Sequence, residues 1–481
     1  MSPTDTLNHL SWLPTSEAAA VSTLAQDAQS LGAQALLVGG CVRDALLGLR
    51  PKDVDVEVFG METDTLEALL KRRFKVATVG KAFGVFKLKG LEIDVSLPRR
   101  ESKLGTGHKG FVVEGDPHLS PAKAAARRDF TINAISFDPL NFELIDPLGG
   151  VNDLQQRYLR HCSDQFGEDP LRVLRAMQFI ARFELEVAAE TLEICRQIEP
   201  EDLPPERQFE EWSKLLLRGR KPSLGLHFLK AVGWVGYYPE LEALIGCPQD
   251  PLWHPEGDVW THTLHCLDAF ARWRSGDPRE DLVVGLAVLC HDLGKPQATV
   301  TAEDGRIRSP GHEKVGLGPT ESFLRRLTAQ TDLIEGVLPL VETHMRPGAL
   351  YDGRSSDSAV RRLANKVGRI DRLVRVCQAD AAGRPPLPGD FPAGSWLLER
   401  SASLEIADSA PKPLVMGRHL IAQGLKPGPR FGTILNACFE AQLDGAFDDE
   451  AGGLAFLKQL LKSGPEPAAQ ASLGDSESEA G

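Results

Sequence analysis

The residues with the clearest chemical potential lie in one stretch near the N-terminus, GGCVRDALLGLRPKDVDVEVFG, from Gly39 to Gly60. Asp53 and Asp55 are spaced i, i+2, and on a β-strand this spacing puts both side chains on one face. Two carboxylates on one face can share divalent metal ions, and the Gly39-Gly40 pair allows the backbone to approach a phosphate closely. This combination is suited to phosphoryl transfer.

A strand, a turn and a helix must position these groups. The run AQALLVGG at 33–40 is apolar and ends in two glycines, which predicts a buried strand followed by a turn. A helix beginning near Cys41 would bring Arg43 to the same phosphates, with Asp44 in its first turn. Taken singly, Gly-Gly marks a tight turn, and Asp-x-Asp a pair of loop carboxylates, more often than a site. The order of glycines, arginine and aspartates in one stretch favours the functional interpretation.

A third carboxylate follows. The segment VFKLKGLEIDVSLP at 85–98 predicts a β-hairpin that turns at Lys89-Gly90 and carries Asp94 on its second strand. Asp94 is either a further metal ligand or a solvated strand residue.

Three more segments come next in a fixed order. They read RRDFTINA at 127–134, DPLGGVNDL at 146–154 and EDPLRVLRAMQFIARF at 168–183. Together with the first stretch, they resemble the head domain of class II tRNA nucleotidyltransferases and bacterial poly(A) polymerases, members of the DNA polymerase β superfamily. The resemblance implies an Mg²⁺-dependent reaction that uses CTP and ATP at the 3′ end of tRNA.

The resemblance also implies roles for individual residues. Asp53 and Asp55 would hold two Mg²⁺ ions, with Asp94 as the possible third catalytic carboxylate. Arg43, Arg127 and Arg128 would neutralise the triphosphate, and Asn133 would contact the ribose. The full set expected to bind nucleotide is Gly39, Gly40, Arg43, Arg127, Arg128, Asp129, Asn133, Asp169, Arg172, Arg175 and Gln178.

The last of these motifs has a helical pattern. Leu171, Leu174 and Phe179 recur at near-helical spacing, and Asp169, Arg172 and Arg175 fall three apart on the opposite, open side. A carboxylate and a guanidinium on one face can pair with the edge of a base, or they can form an ordinary surface ion pair. The resemblance assigns base reading to Asp169 and Arg172 and places Arg175 near the nucleotide. It departs at Gln178, where the family commonly has an arginine, so one charge is missing.

The segment from Arg99 to Phe111 is rich in glycine and charge and has no clear period, which predicts a mobile loop. In the family, such a loop accompanies the switch from adding C to adding A. Its presence favours full CCA addition, or addition of A alone.

A second cluster of candidate ligands occupies the middle of the chain. Six of the twelve histidines lie between His254 and His344. Imidazoles and carboxylates together suit divalent metals that activate water against a phosphate. The order resembles the HD phosphohydrolase domain fused to nucleotidyltransferases in many bacteria, which implies a transition metal (Mn, Ni or Co) held by His262, His291, Asp292, His312, His344 and Asp380. His254 and His265 fall outside this order and are expected to be structural.

Composition sets further limits. The 481 residues predict about three or four domains, and no run of about 18 apolar residues or signal-peptide order is present. Eight scattered cysteines without Cys-x-x-Cys spacing favour reduced thiols and a cytoplasmic protein. The net charge of −13 argues against nonspecific nucleic-acid binding by the whole surface, so local basic stretches at 99–128 and 218–222 are the candidates for RNA contact.

These observations predict an α+β protein: a polymerase-β-like nucleotidyltransferase head with a small mixed sheet, followed by helical domains. The expected divisions are a head at 1–150, a neck and body at 151–250, an HD domain at 251–405, a helical C-terminal arm at 406–462 and a disordered tail at 463–481. The predicted activity is template-independent CCA addition to tRNA. The alternatives are an A-adding enzyme or poly(A) polymerase, and a phosphohydrolase whose head only binds nucleotide. A nonenzymatic RNA-binding module is disfavoured because binding requires no clustered metal carboxylates.

Overall fold

The computed structural model describes residues 9–78, 84–103 and 111–463. The head begins with a 3₁₀ turn at Leu10–Trp12 and contains a second 3₁₀ turn at Thr131–Asn133. Its helices and strands are, in chain order, α1 (Thr15–Ser30), β1 (Gln34–Val38), α2 (Gly40–Leu46), β2 (Val54–Phe59), α3 (Thr63–Arg73), β3 (Val76–Thr78), β4 (Val85–Leu88), β5 (Ile93–Ser96), β6 (Arg99–Lys103), β7 (Phe111–Gly115), α4 (Pro121–Ala126), β8 (Ser136–Asp138), β9 (Glu143–Ile145), α5 (Gly150–Gln155) and β10 (Tyr158–Leu159).

A seven-stranded sheet in the order β3-β4-β5-β2-β1-β8-β9 forms the centre of the head. β2 pairs antiparallel with β1 and parallel with β5. Along β2, Val54, Val56 and Val58 are buried in the core, so alternation turns Asp55 to the opposite face. The predicted strand before Gly39 and the hairpin between β4 and β5 are both confirmed.

The prediction for residues 99–111 is wrong where the structure describes them. β6 and β7 form an antiparallel pair of their own, with Arg99 opposite Gly115 and Lys103 opposite Phe111. The two strands pair with each other and not with the main sheet. Their sequence has no alternating apolar pattern, so the pairing could not be predicted from periodicity. The part of the predicted loop from 104 to 110 lies outside the described residues.

Helices dominate the rest of the chain. The neck and body contain the 3₁₀ turns Asp164–Glu168 and Trp234–Tyr237 and the elements α6 (Leu171–Phe183), β11 (Glu186–Val187), α7 (Ala189–Gln197), α8 (Pro205–Arg218), α9 (Pro222–Ala231) and α10 (Pro239–Glu242). α6 packs against α8 and α9. The short strand β11 pairs in parallel with β10 and ties this region to the head.

The following region carries the histidines. Its elements are α11 (Val259–Arg272), α12 (Pro278–Cys290), α13 (Lys295–Ala298), β12 (Val300–Thr301), β13 (Ile307–Arg308), α14 (His312–Val315), α15 (Leu317–Leu327), α16 (Thr331–Thr343), α17 (Arg346–Asp352), α18 (Asp357–Val367), α19 (Ile370–Ala382) and α20 (Pro392–Ser403). α19 packs against α11 and α12, and α12 also packs against α8 of the neck.

The C-terminal arm has a core of its own. It consists of α21 (Gly417–Ala422), α22 (Arg430–Leu443) and α23 (Glu450–Ser463), packed around Val415, Leu420, Ile434, Cys438, Phe447 and Leu457. One continuous core runs from Leu10 to Ile406 through the rest of the protein. The predicted fold class, a mixed head followed by helical domains, is therefore confirmed. Of the tail predicted at 463–481, Ser463 still belongs to α23, and the remainder lies outside the described residues. Among the residues that the structure describes, no helix is long and apolar enough to cross a membrane.

Two candidate active sites

The first candidate site lies on the exposed face of β2 and β5. Asp55 and Asp94 are direct register partners across this parallel pair, and Asp53 immediately precedes β2. Asp55 reaches solvent, but desolvation by the surrounding protein raises the pKa of its carboxyl group. The positive charge of Arg128 opposes this rise, and the negative charge of Asp94 adds to it. Crowding of negative charge makes this a favourable place for a cation.

The donor set fits a hard divalent ion. Asp94 Oδ1 is buried without a hydrogen-bond donor, and Lys87 Nζ lies 3.8 Å from it. The carboxylates supply oxygen ligands only, which is the preference of Mg²⁺. The structure thus brings Asp55 and Asp94 together, as the sequence allowed.

The glycine turn holds an arginine against this face. Gly39 has a φ of 74°, and a Cβ atom placed on it would lie 2.7 Å from Arg128 Nη1. Arg128 Nη1 donates to the carbonyl oxygen of Asn133 at 3.4 Å, and Nη2 lies 3.6 Å from Glu57 Oε2. Gly40 has Arg43 Nη2 at 3.5 Å from the corresponding Cβ position. Any side chain at Gly39 would therefore displace the Arg128 guanidinium.

A buried polar network connects three of the sequence motifs. Arg43 Nη1 donates to Asn133 Oδ1, and Asn133 Nδ2 donates to Asp129 Oδ1 at 3.0 Å. Arg175 Nε donates to Asp129 Oδ2 at 2.7 Å, and the Phe179 ring lies near both guanidinium groups, at 5.2 Å from Arg43 and 5.4 Å from Arg175. Both ends of the Asn133 amide are thus engaged in holding Arg43 and Asp129 in place.

The charge on Asp129 is well supported. Burial would raise the pKa of this carboxyl group, but the charge of Arg175 and the hydrogen bond from Asn133 outweigh burial and lower it. Asp129 therefore stays ionised and orients both neighbours.

The third motif braces this network from behind. Asp146 accepts hydrogen bonds from the backbone N–H groups of Gly150 (2.7 Å) and Val151 (2.9 Å), which fixes the start of α5. A Cβ atom on Gly150 would lie 2.1 Å from the carbonyl oxygen of Thr131, so only glycine permits this close contact. In the described structure, the third motif therefore positions the 3₁₀ turn that carries Asn133.

The predicted open face of the fourth motif is corrected by the structure. α6 begins at Leu171, so Asp169 precedes the helix, where its carboxylate accepts from Leu171 N (3.1 Å) and Arg207 Nη2 (2.9 Å). Arg172 is only 9% exposed, and it donates to the carbonyl oxygens of Gln165 and Arg127. Pro170, a residue typical of a helix start, was the signal that Asp169 lies outside the helix.

Two other residues of that set have clear positions. Arg175 is partly exposed and paired with Asp129, whereas Gln178 is buried on α6. Arg127 lies at the end of α4, beside Arg128. The residues expected at the nucleotide thus surround Asp129 and Asn133, but five of the expected residues are buried in this structure: Arg43, Asp129, Asn133, Arg172 and Gln178.

The second candidate site is the histidine cluster. His262 lies on α11, His291 and Asp292 follow α12, His312 begins α14, His344 follows α16, and Asp380 lies on α19. The structure brings together all six residues that the sequence predicted, and the four histidines and Asp292 are buried.

Short distances define the centre. Asp292 Oδ2 lies 3.2 Å from His291 Nε2, and Asp292 Oδ1 lies 3.3 Å from His312 Nε2. His262 Nε2 lies 3.1 Å from Asp380 Oδ1 and 3.8 Å from Asp292 Oδ2. Asp292 therefore stands between the two halves of the cluster.

Hydrogen bonds at the outer nitrogens aim the imidazoles inward. The Nδ1 atoms of His291, His312 and His344 lie 2.7–2.8 Å from the carbonyl oxygens three residues earlier. Donation from Nδ1 leaves a lone pair on each Nε2, which is the form that binds a metal. The Nε2 atoms of His312 and His344 are only 3.1 Å apart, and His291 Nε2 is buried without a hydrogen-bond partner. Facing lone pairs of this kind fit a shared cation.

The protonation states of His344 and Asp292 also favour a bound cation. Burial and the neighbouring His291 lower the pKa of His344 to about 4, so its imidazole is neutral. The pKa of Asp292 is held well below its ordinary value, because the charges of His291 and Lys295 outweigh its burial. His344 and Asp292 thus have the protonation states that metal binding requires. Although burial opposes it, neighbouring anionic groups raise the pKa values of His262 and His312, so these two imidazoles would have to lose a proton when a metal binds.

Three residues that contact the predicted ligands of the histidine cluster were not expected there from the sequence. Glu256 Oε1 accepts from Nδ1 of His262 (2.8 Å) and of His254 (2.9 Å), and Lys295 Nζ lies 2.8 Å from Asp292 Oδ2. His254, expected to be structural, lies with its ring 4.7 Å from that of His262. Lys295 lies three residues after Asp292, and this spacing could have predicted that the two side chains meet. Glu256 precedes α11, and no sequence pattern there indicates that it contacts His262.

A pocket of about 600 Å³ opens beside the cluster. Asp292, Lys295 and Arg384 contribute charge to its lining, and the rings of Trp253 and Phe391 contribute flat apolar surface. This lining suits a phosphate ester that carries a planar group.

Comparison with known proteins identifies the family of this chain. Residues 35–160 match the family model of the poly A polymerase head domain. The multifunctional CCA protein of Xylella fastidiosa (strain 9a5c) is 40% identical over 365 residues, which cover 72% of this chain and 83% of that protein. The multifunctional CCA protein of Xanthomonas campestris pv. campestris (strain B100) is 37% identical over 414 residues, which cover 83% of this chain and 95% of that protein.

A solved structure extends the likeness to the fold. The CCA-adding enzyme of Bacillus stearothermophilus, in complex with CTP, superposes with a TM-score of 0.65 at 24% identity, over 93% of this chain and 98% of that chain. The predicted resemblance to class II tRNA nucleotidyltransferases and poly(A) polymerases is thereby confirmed. The chain belongs to the family of multifunctional CCA proteins and is a nucleotidyltransferase.

Proposed function

We propose that this enzyme adds C, C and A to the 3′ end of tRNA, using CTP and ATP, at the face formed by β2 and β5. The observation that carries the proposal is the pairing of Asp55 with Asp94, in front of the arginine held at Gly39. Solved CCA-adding enzymes of the same fold, in complex with CTP and with tRNA, support these partners. The relatives' names favour CCA addition over A-only addition, poly(A) synthesis or a phosphohydrolase with a nucleotide-binding head. The direct test is to supply tRNA lacking its CCA end and to sequence the products.

Asp53, Asp55 and Asp94 are the proposed ligands of magnesium. Bound there, Mg²⁺ would assist attack by the terminal 3′-hydroxyl on the α-phosphate and stabilise the departing pyrophosphate. The protein's own contribution is positional: the two strands hold Asp55 and Asp94 side by side before any ligand arrives.

Arg43, Arg127 and Arg128 are proposed to neutralise the triphosphate. Arg43 is buried and held by Asp44 and Asn133, so its guanidinium has little freedom left to lose on binding. Arg128 is held by a backbone carbonyl and by Glu57. Asn133 is expected to reach the ribose from this same network.

Gly39→Ala should impair use of both CTP and ATP by about 10- to 100-fold in kcat/KM, equivalent to about 1.4–2.7 kcal/mol. The reason is the 2.7 Å approach of the new Cβ atom to Arg128 Nη1, which must move. Steady-state kinetics with each nucleotide would measure the loss.

Gly32→Ala is the matched control. Gly32 also has a left-handed φ, 78°, but no atom lies within 4 Å of its Cβ position. Gly39 also has a ψ of −130°, so the melting temperature of each variant should be measured alongside its activity. Equal losses of activity would show that backbone strain, and not the displaced arginine, causes the effect.

Base selection is proposed for Asp169 and Arg172. In the structure Asp169 is only partly buried and is paired with Arg207, so a base edge can compete for its carboxylate. Arg172 donates to two backbone carbonyls and fixes the segment that precedes α6. Because residue 178 is a glutamine and carries no charge, Asp169 and Arg172 are the principal candidates for base selection.

Asp169→Ala should weaken discrimination of CTP and ATP from UTP and GTP, at a cost of about 1.5–3 kcal/mol for the correct nucleotides. Incorporation rates for all four nucleotides would measure this, with the exposed Asp164→Ala as the control variant. If all four nucleotides lost the same factor, Asp169 would have only a structural role with Arg207.

The histidine cluster is proposed to be an HD-type phosphohydrolase centre that binds Mn, Ni or Co. Its donor set of imidazoles and carboxylates supports such a metal. The adjoining pocket, with Lys295 and Arg384, supports a phosphomonoester or a 2′,3′-cyclic phosphodiester as substrate. Bound there, the metal would activate water for attack on phosphorus.

The domain boundaries predicted above remain our proposal, and the separate core of the arm supports the last of them. We also propose a cytoplasmic location. All eight cysteines are free thiols, which is typical of proteins in a reducing compartment.

A further inference from the structure

A cysteine lies within the proposed metal centre. Cys266 is four residues after His262 on α11, and its Sγ atom lies 3.3 Å from His262 Nε2. Ligand atoms of His262, Cys266, His291 and Asp380 all lie within 4.8 Å of one another. Residues at i and i+4 share one face of a helix, so α11 can present both a nitrogen and a sulfur to one ion.

The surroundings of the thiol direct it toward this centre. Cys266 is completely buried, and its Sγ atom lies near the carbonyl oxygen of Asp380, at 3.9 Å. A Cβ atom on Gly383 would lie 2.3 Å from the sulfur, so the bare backbone at the end of α19 is what leaves room for the thiol.

Independent signs of a ligand lie on the same side. His291 Nε2 is buried and has no hydrogen-bond partner, and the buried Asp292 Oδ2 beside it is balanced by the Lys295 ammonium group, 2.8 Å away. Glu256 holds His262 through Nδ1, which leaves Nε2 facing Cys266 and Asp380. Unpartnered groups at this depth are costly unless something binds between them.

We propose that Cys266 is a metal ligand, which gives the centre a mixed nitrogen, oxygen and sulfur donor set. The inference rests on the proposed metal site and adds a selectivity to it. Thiolate favours softer divalent ions such as Co²⁺, Zn²⁺ and Cd²⁺ over Mn²⁺, and the thiol proton leaves to solvent when the metal binds. The centre would therefore rank metals differently from a site made only of histidine and aspartate.

Cobalt titration of the full-length protein tests this proposal by absorption spectroscopy. The wild-type protein should show a sulfur-to-cobalt charge-transfer band in the near ultraviolet. Cys266→Ser should lose that band, keep the visible cobalt bands, and bind Co²⁺ and Cd²⁺ about 10- to 100-fold more weakly, with Mn²⁺ affinity nearly unchanged. Cys195→Ser, which alters a buried cysteine on α7, should retain the band.

The outcomes separate the two proposals. If the wild-type protein binds no cobalt, the metal site itself is wrong. If it binds cobalt without the charge-transfer band, or if Cys266→Ser keeps the band, the site stands and the role of Cys266 is wrong. Cadmium NMR of the wild-type protein decides the same question without any variant, since sulfur coordination moves the resonance strongly downfield.

Discussion

Asp55→Asn is expected to abolish nucleotide addition, with a fall of about 1,000-fold or more in kcat. Removal of a metal-ligating carboxylate forfeits several kcal/mol of transition-state stabilisation, and each 1.36 kcal/mol corresponds to a factor of ten. Binding of tRNA should remain nearly unchanged, because it depends mainly on phosphate contacts elsewhere. Asp53→Asn should behave in the same way.

The stability of the same variant gives a second readout. The raised pKa of Asp55 means that its ionised form is disfavoured in the folded protein without metal. The neutral amide should therefore leave the metal-free melting temperature unchanged or raise it. Glu92→Gln, which alters an exposed carboxylate just before β5, is the matched control and should remain fully active. Near-normal turnover by Asp55→Asn would contradict the metal assignment.

Asp292→Asn is expected to eliminate hydrolysis of 2′,3′-cyclic AMP and p-nitrophenyl phosphate, by about 100-fold or more, without affecting CCA addition. Asp292 stands between His291 and His312 and is the shared carboxylate of the cluster, so its loss should also remove bound metal. The hydrolase should respond to Mn, Co or Ni, while the oxygen-only head responds to Mg. Metal content and both activities would be measured on one preparation.

Asp332→Asn provides the control for that experiment. Asp332 is an exposed residue at the start of α16, the helix that His344 follows, and its ion pair with Arg279 is also exposed. It should lose neither activity nor metal. A collapse of CCA addition in folded Asp292→Asn would mean that the two sites are coupled, and the packing of α12 against α8 provides a route for such coupling.

Local patterns were sufficient to predict most of the head. The apolar run before Gly39 and the turn at Gly90 each depend on neighbours in sequence, and both are confirmed. The strand predicted to carry both Asp53 and Asp55 begins only at Val54. The role of Gly39 could not be predicted in full, because it depends on contact with Arg128, which is far away in the chain. A Cβ atom added to Gly39 would clash with the Arg128 side chain. The bridge made by Asn133 between Arg43 and Asp129 has the same origin.

The errors also have physical causes. Helical spacing placed Arg172 on an open face, but the turn at 164–168 folds over the start of α6 and buries its guanidinium against backbone carbonyls. The strands β6 and β7 pair only with each other, so no alternation of apolar residues marks them. In the histidine cluster, residue types identified the six candidate ligands, whereas Glu256 and Cys266 join it only through the packing of α11 and α19.

The central claim is that this protein builds the CCA end of tRNA without a template. The most direct measurement is to incubate the purified full-length protein with tRNA lacking CCA, together with Mg²⁺, CTP and ATP, and to sequence the 3′ ends. We expect products that end in CCA, and no extension by Asp55→Asn. Products extended only by A, runs of A, or tRNA that is hydrolysed but never extended would contradict it.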